Sequence, residues 1–237
     1  MTDLRDTLLQ GQWFAALPAP LQQALLSQGR RLNLEAGQRL FSRGDAPSGL
    51  YAVLNGAMRV GSVDADGREA LLVLVEAPHW FGEIALFDGQ PRTHDAVAEG
   101  ASSLLHVPQA GLLSLLERHP AYWRDLALLM AHKVRLAFIA LEEISLLPAA
   151  QRLARRLLLI AEDYGESQGP RRIIHLSQEQ LAAMLAISRQ TANGVLKELQ
   201  ARGIVKLTYG EIEILDLGEL RKACLLYTSP SPRDQRG

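Results

Sequence analysis

The clearest structural signals in the second half of the chain lie in LSQEQLAAMLAISRQTANGVLKELQA, residues 176–201. Ser177 and Gln180 match a capping box, in which each side chain satisfies a backbone amide at the start of a helix. A few residues later Ser188 can cap a second helix over 188–200, whose apolar residues recur at i, i+3, i+4 and i+7. The four residues that we expect to face the core are Ala192, Val195, Leu196 and Leu199.

The remaining residues of the second helix are mostly polar, and at about 100° per residue they lie opposite or beside the apolar stripe. Arginine can bridge O6 and N7 of guanine, glutamine can pair with N6 and N7 of adenine, and threonine or lysine can bind phosphate. By spacing alone, an ordinary helical hairpin with a solvated polar face fits equally well, but these residue types favour DNA. The candidate DNA-binding residues are Ser177, Ser188, Arg189, Gln190, Thr191, Asn193 and Lys197.

Two strand-like segments follow the pair of helices. Residues 203–207 and 211–215 are rich in β-branched and apolar residues, and they flank Tyr209 and Gly210. A short turn between two such segments predicts a β-hairpin. Two helices joined by a tight turn and followed by a hairpin are typical of a winged helix-turn-helix.

The first half of the chain alternates short apolar stretches with turn signals between Leu32 and His106. Asn55-Gly56 is a dipeptide typical of tight hairpin turns. Segments such as 50–54 and 57–63 are rich in residues that suit a half-buried strand. The pattern predicts a small β-barrel or β-roll made of successive hairpins.

From Ala121 onward the apolar period becomes helical. The apolar residues step by four, three, four and three positions, which is the seam of a coiled coil. Pro148 cannot continue the helix, because its ring removes an amide donor and clashes with the preceding turn. We therefore predict that this helix pairs with its copy in a dimer, the alternative being a helix packed on its own barrel. The predicted seam consists of Met130, Val134, Ala137, Leu141 and Ile144.

Composition is that of an ordinary globular protein, with 48% hydrophobic and 22% charged residues. The sequence contains no apolar run near the roughly 20 residues of a membrane-spanning helix, and the first ten residues are acidic rather than basic. We therefore expect a cytoplasmic protein with no membrane partner. Residues 1–148 carry 12 basic and 16 acidic side chains, whereas residues 149–223 carry 11 and 9, which fits a nucleic-acid-binding second half.

The sequence shows no motif of a catalytic site or a metal site. It contains no nucleophile–base grouping and no Gly-Lys-Ser phosphate loop, so we expect no catalytic residues and no enzyme activity. His79, His94 and His106 are scattered and lack carboxylate or cysteine partners, so no metal site is predicted. The single cysteine, Cys224, excludes a disulfide within the chain. The segment that it opens, CLLYTSPSPRD, looks like a translated sequencing adapter, so residues 224–237 are expected to be a non-native tail.

The sequence resembles the Crp/Fnr family of bacterial transcription regulators through LSQEQLA at 176–182 and ISRQTAN at 187–193. The resemblance covers nearly all of residues 17–220. It implies an α+β fold with an N-terminal β-roll of the double-stranded β-helix or jelly-roll kind, a long dimerisation helix and a C-terminal winged helix-turn-helix. It further implies a homodimer that binds a roughly palindromic site on double-stranded DNA and acts on RNA polymerase. The domains expected from this order are 1–120, 121–147 and 148–223.

A further resemblance is that of FGEIALFDGQPRT, residues 81–93, to the phosphate-binding cassette of cyclic-nucleotide domains. The resemblance assigns Arg92 to the cyclic phosphate and Glu83 to the ribose hydroxyl. Cyclic AMP, cyclic GMP and a cyclic dinucleotide all stay open as effectors, and so does an empty cassette in which Glu83 and Arg92 pair with each other. The candidate ligand-binding residues are Gly82, Glu83, Ile84, Ala85, Arg92 and Thr93.

Four positions depart from the catabolite-activator branch of that family. Gln190 and Gly194 stand where that branch has a glutamate and a second arginine, so the operator sequence is not transferred. Ala137 and Phe138 stand where it has the hydroxyl residues that read adenine, so base recognition is not transferred either. The alternative function is a cyclic-nucleotide-binding regulatory module without a DNA role.

Overall fold

The computed structural model describes residues 4–63, 69–165, 172–208 and 210–226. The chain divides into two compact units, Met1–Arg135 and Leu136–Gly237. Tyr209, at the tip of the predicted wing, and residues 227–237 of the predicted tail lie outside the described residues. No helix within the described ranges combines the length and the apolar composition that a bilayer crossing requires.

The first unit contains helices before, within and after a set of eight short strands in its described residues. The elements are α1 (Leu4–Leu9), α2 (Gln12–Ala16), α3 (Ala19–Gln28), β1 (Arg30–Leu34), β2 (Arg39–Phe41), β3 (Gly49–Asn55), β4 (Ala57–Val63), β5 (Glu69–Glu76), β6 (Trp80–Phe81), α4 (Ile84–Asp88), β7 (Asp95–Ala98), β8 (Ser102–Pro108), α5 (Gln109–Arg118) and α6 (Tyr122–Leu146), whose last residues belong to the second unit.

The strands form two four-stranded antiparallel sheets, in the orders β1-β8-β3-β6 and β2-β7-β4-β5. Side chains of both sheets, among them Val53, Met58 and Leu104, make a core between them. A second core, which includes Leu50 and Leu126, lies where the helices pack on the first sheet. Strand β3 is therefore buried on both faces. The predicted β-roll is confirmed.

Helix α6 buries Leu126 and Leu129 in the core of the first unit. Its predicted seam is largely open, because Val134, Leu141 and Ile144 are 44%, 59% and 50% exposed in the single chain. An apolar stripe of this size on a long helix is unusual for a monomer's surface. The helix ends just before Pro148, as predicted from the proline ring.

The second unit combines helices with a small sheet. After the end of α6, its described elements are α7 (Ala149–Ala161), a 3-10 turn (Asp163–Gly165), β9 (Ile173–Ile174), α8 (Gln178–Leu185), α9 (Arg189–Ala201), β10 (Val205–Thr208), β11 (Glu211–Ile214) and α10 (Leu217–Leu226), which begins after the sheet and buries Cys224. The strands pair in the order β10-β11-β9, and the core of the unit includes Leu157, Leu181, Leu196 and Ile212. Helices α8 and α9 form the helix-turn-helix, and β10 with β11 forms the wing, so the predicted winged helix-turn-helix is confirmed.

Candidate effector pocket and nucleic-acid interface

The cassette begins with a sharp backbone turn between β6 and α4. Gly82 has φ +94°, a conformation that favours glycine. A Cβ on this residue would lie 2.9 Å from Nη1 of Arg92 and 3.0 Å from the carbonyl oxygen of Gly49. The missing side chain is therefore what allows the guanidinium of Arg92 to reach the backbone here.

Arg92 points into the roll and is only 5% exposed. Nη1 donates to the carbonyl oxygen of Gly82 at 2.9 Å, and Nη2 donates to the carbonyl oxygen of Gly49 at 2.8 Å and to Oγ of Ser48 at 3.0 Å. The guanidinium carbon lies 4.5 Å from the ring centroid of Phe41. Nε is buried and makes no hydrogen bond. Every group that Arg92 contacts directly is therefore neutral.

The environment of Arg92 disfavours a positive charge. Burial lowers the pKa of Arg92 below its usual value, and the nearby Tyr51, Glu83 and Asp45 offset part of that effect. Because an arginine stays charged in proteins, the result is a buried cation with no direct counter-ion. An anion that reached this guanidinium would supply the missing charge.

Glu83 is the buried acid of the cassette, 2% exposed, and it does not pair with Arg92. Its Oε2 accepts a hydrogen bond from Nζ of Lys133 at 2.7 Å. The same ammonium donates to the carbonyl oxygen of Trp80 at 2.8 Å. Oε1 of Glu83 accepts no hydrogen bond from the described residues. The ion pair between Glu83 and Arg92 that the alternative of an empty cassette predicted is therefore not found among the described residues.

The other predicted ligand-binding residues differ in placement. Both Ile84 and Ala85 belong to α4. Ala85 is buried, whereas Ile84 is 47% exposed and points to solvent. Thr93 is exposed, and its Oγ1 lies 3.0 Å from Nδ1 of His94. The structure thus brings Gly82, Glu83 and Arg92 together in the roll and places the side chains of Ile84 and Thr93 on the exposed side of the cassette.

Sequence reasoning missed three groups of this site. Lys133 comes from α6, 50 residues after Glu83, and Ser48 directly precedes β3, 44 residues before Arg92. Phe41 supplies the ring beneath the guanidinium. None of these residues belongs to a motif, so no local signal could have found them. Among the residues that the structure describes, no cluster of three or more His, Cys, Asp or Glu is placed to hold a metal ion.

The helix-turn-helix has the caps that its sequence predicts. Oγ of Ser177 accepts from the backbone amide of Gln180 at 3.1 Å, and the backbone amide of Ser177 donates to Oε1 of Gln180 at 2.8 Å. Oγ of Ser188 accepts from the backbone amide of Thr191 at 3.0 Å and lies 2.8 Å from its hydroxyl. These hydroxyl groups therefore fix the start of each helix, and that order positions the polar face of α9.

Helix α9 presents its predicted reading face to solvent. The stripe Ala192, Leu196 and Leu199 is buried and Val195 is half-buried, as the periodicity predicted. Within the described chain, neither Arg189 nor Lys197 takes part in an ion pair, so both cations are available to a ligand. The exposed residues of the face are Arg189, Gln190, Thr191, Gly194 and Lys197, while Asn193 is half-buried.

Comparison with known proteins agrees with both halves of the structure. Residues 31–119 match the family described as cyclic nucleotide-binding domain, and residues 151–223 match the Crp-like helix-turn-helix domain. The cyclic AMP receptor protein of Thermus thermophilus is 32% identical over 209 residues, which cover 88% of this chain and 91% of that protein. A CRP-like cAMP-activated global transcriptional regulator of Mycobacterium tuberculosis is 28% identical over 201 residues, covering 84% of this chain and 90% of that one.

A solved structure gives the same result for the fold. A CRP/FNR-family transcriptional regulator of Thermus thermophilus superposes with a TM-score of 0.65 at 26% identity, over 83% of this chain and 98% of that chain. The match to a Crp-like DNA-binding domain also removes support from the alternative of a regulatory module without a DNA role. A cyclic nucleotide-binding domain followed by a Crp-like helix-turn-helix, in a chain similar to these regulators along most of its length, belongs to the Crp/Fnr family of transcription regulators.

Proposed function

We propose that this regulator works as a homodimer, that its two copies of α9 bind the half-sites of a roughly palindromic promoter, and that a cyclic nucleotide in the β-roll controls this binding. Its output is recruitment or obstruction of RNA polymerase, and it has no catalytic step. The residues proposed to line the nucleotide site are Gly82, Glu83, Ile84, Ala85, Arg92 and Thr93. Those proposed to contact DNA are Ser177, Ser188, Arg189, Gln190, Thr191, Asn193 and Lys197.

The observation that carries the effector proposal is the state of Arg92. A guanidinium that is 5% exposed and donates hydrogen bonds to two carbonyl oxygens and one hydroxyl has no acidic group bonded to it directly. A cyclic phosphodiester has one negative charge and oxygens suited to a guanidinium. Its arrival would draw Arg92 away from Gly49 and Ser48, and so change the contacts of β3. The positive charge of Arg92 thus favours an anionic ligand, and the resemblance of residues 81–93 to a phosphate-binding cassette favours a nucleotide.

The dimer proposal rests on α6. The exposed stripe of Val134, Leu141 and Ile144 would be buried if two copies of the helix paired, as the heptad spacing requires. A two-fold dimer presents two recognition helices to successive major grooves about 34 Å apart, which sets the spacing of the half-sites. A monomer would lose the second half-site and most of the affinity.

Titration calorimetry tests the effector. Cyclic AMP, cyclic GMP and cyclic di-GMP are each titrated into the wild type, Arg92→Gln and the control Arg31→Ala, which removes an exposed cation of β1. We expect one nucleotide to bind the wild type and the control, and Arg92→Gln to weaken that binding at least about tenfold, since a charge-assisted hydrogen bond contributes about 1.5–3 kcal/mol. A wild type that gives no heat with any of the three would refute the nucleotide site and leave the DNA proposal standing.

Selection of duplexes from a random library, followed by fluorescence anisotropy, tests DNA binding. Arg189→Ala should cost about 1–3 kcal/mol on the selected site and relax its sequence preference, because a base contact is lost. Lys197→Ala should weaken binding evenly across sequences and reduce the salt slope by about one. Lys222→Ala, an exposed lysine of α10, is the control. Selection that yields no preferred sequence, with or without nucleotide, would overturn the proposal.

A further inference from the structure

The joint between α6 and α7 is short. Helix α6 ends at Leu146 and α7 begins at Ala149, so two residues separate the helices. The end of α6, the joint and α7 all belong to the second unit. The backbone amide of Leu147 still donates to the carbonyl oxygen of Glu143, so α6 stays helical up to the joint. The direction in which α7 leaves α6 therefore depends on a few backbone torsions and on the side chains that meet across the joint.

The last turn of α6 covers an acid and leaves apolar side chains open. Ile144 and Leu146 are 50% and 70% exposed, whereas the side chain of Glu143 is only 12% exposed. A carboxylate that is removed from water is costly unless cations or hydrogen bonds compensate it. Burial raises the pKa of Glu143 above its usual value, and the charges of Arg155 and Arg156 offset part of that effect. The compensation for this acid therefore comes from α7.

Glu143 meets α7 through a charged contact that crosses the joint. Nη1 of Arg155 lies 3.4 Å from Oε1 of Glu143, which stands twelve residues earlier in the chain. The next residue, Arg156, is 8% exposed, and its Nε makes no hydrogen bond. Helix α7 itself packs against α8 and α9 and buries Leu153 and Leu157 in the core of the unit. A contact that holds α7 therefore also holds α9, the recognition helix.

We infer that Glu143 is a positioning residue for DNA recognition: its contact with Arg155 fixes the direction of α7 relative to the end of α6, and thereby the separation of the two recognition helices in the dimer. This inference rests on the proposed function. In a two-fold dimer joined through α6, a change of direction at the joint moves both copies of α9. Half-sites on DNA recur about every 10–10.5 base pairs. A fixed joint therefore selects one spacing of the half-sites, whereas a loose joint accepts several.

The contact between Glu143 and Arg155 has a specific consequence for DNA choice. If Glu143 loses its charge, the joint keeps its backbone but loses the ion pair that crosses it. The two copies of α9 should then reach half-sites at spacings that the wild type rejects. A residue with a merely structural role would lower stability and weaken binding to every duplex alike, so the dependence on spacing would stay unchanged.

The test varies the spacing of the two selected half-sites. Duplexes with the selected spacing, and with one or two base pairs inserted or removed, are titrated with the full chain in fluorescence anisotropy, with and without cyclic AMP, cyclic GMP or cyclic di-GMP. We expect the wild type to lose at least about tenfold in affinity when two base pairs are inserted, because one half-site is then out of reach. Glu143→Gln and Arg155→Met should reduce that loss to about threefold or less. Arg155→Lys, which keeps the cation, should retain the loss, and so should the control Glu142→Gln, which removes an exposed acid from the neighbouring position.

The outcomes separate two failures. If the wild type prefers no duplex, the proposed function is wrong and the role of Glu143 is wrong with it. If the wild type binds its site but tolerates every spacing, or if a folded Glu143→Gln or Arg155→Met keeps the wild-type dependence on spacing, only the role of Glu143 is overturned. Thermal unfolding shows which variants are folded; Arg155, with a side chain that is 41% exposed, provides the test if Glu143→Gln is not. Combining the two changes should reduce the loss no further than either alone, because both remove the same contact.

Discussion

Replacing Gly194 by alanine, which adds one methyl group, should stabilise this protein. Gly194 lies inside α9 on the exposed reading face, and a Cβ placed there would meet no atom within 4 Å. A glycine in a helix interior is about 0.5–1 kcal/mol less favourable than alanine, because it loses more backbone freedom on folding. Gly194→Ala is therefore expected to raise the free energy of unfolding of the DNA-binding unit by about 0.5–1 kcal/mol.

Gly203 is the matched control. A Cβ there would also meet nothing within 4 Å, but the residue has φ +70°. It ends α9 with a pair of hydrogen bonds, from its own amide to the carbonyl oxygen of Gln200 and from Ile204 to that of Leu199, and this arrangement needs a left-handed residue. Gly203→Ala should therefore destabilise the unit by about 1 kcal/mol. The two changes add the same atom to equally open space and should differ in sign.

Calorimetry or urea unfolding followed by circular dichroism measures both changes. For a unit of this size, 1 kcal/mol corresponds to a shift of about 4–8 °C in melting temperature. Opposite shifts for the two variants support the reasoning. Shifts of the same sign, or a loss of stability in Gly194→Ala, would refute it, because the added atom has equally open space at both positions and only the backbone conformation of Gly203 opposes it. Since Gly194 lies on the reading face, Gly194→Arg should in addition change the selected DNA sequence, with Gly194→Ala as its control.

Helix α6, the residue that follows the cassette, and α10 each give one more prediction. Leu141→Glu should raise the dimer dissociation constant at least about tenfold in sedimentation experiments, because it would bury a carboxylate in the seam; Leu128→Glu, on another exposed face of α6, should not. Burial, together with the positive charge of Arg43, lowers the pKa of His94 below 6.5, so the imidazole binds a proton less tightly in the folded protein than in the unfolded chain. The free energy of unfolding should therefore fall as the pH drops below 6.5, and it should fall less in His94→Gln. Burial raises the pKa of the Cys224 thiol to about 11, so it should react with a disulfide reagent at pH 8 roughly a hundredfold more slowly in the folded protein than in denaturant.

The features that the sequence predicts well are those that depend on neighbours along the chain. The capping box of Ser177 and Gln180, the buried stripe of α9 and the stop before Pro148 each involve residues within one or two helical turns, and the structure has all three. The partners of Glu83 and Arg92 are different, since Lys133, Ser48 and Gly49 come from 43 to 50 residues away along the chain. Which side chains meet there depends on how α6 and β3 pack, and spacing along the chain does not encode that packing.

The unlike states of Glu83 and Arg92 bear on how the proposed pocket would both bind a nucleotide and respond to it. The buried carboxylate of Glu83 is already compensated by the ammonium of Lys133 when no ligand is bound. Arg92 is not compensated, and its contacts with Ser48 and Gly49 are the ones that an anion would replace. A ligand shifts a protein between states only by interacting with them unequally. Under the proposed function, Arg92 would supply this difference between the two states, because an anion would replace its contacts with Ser48 and Gly49, whereas Glu83 is already paired with Lys133 of α6.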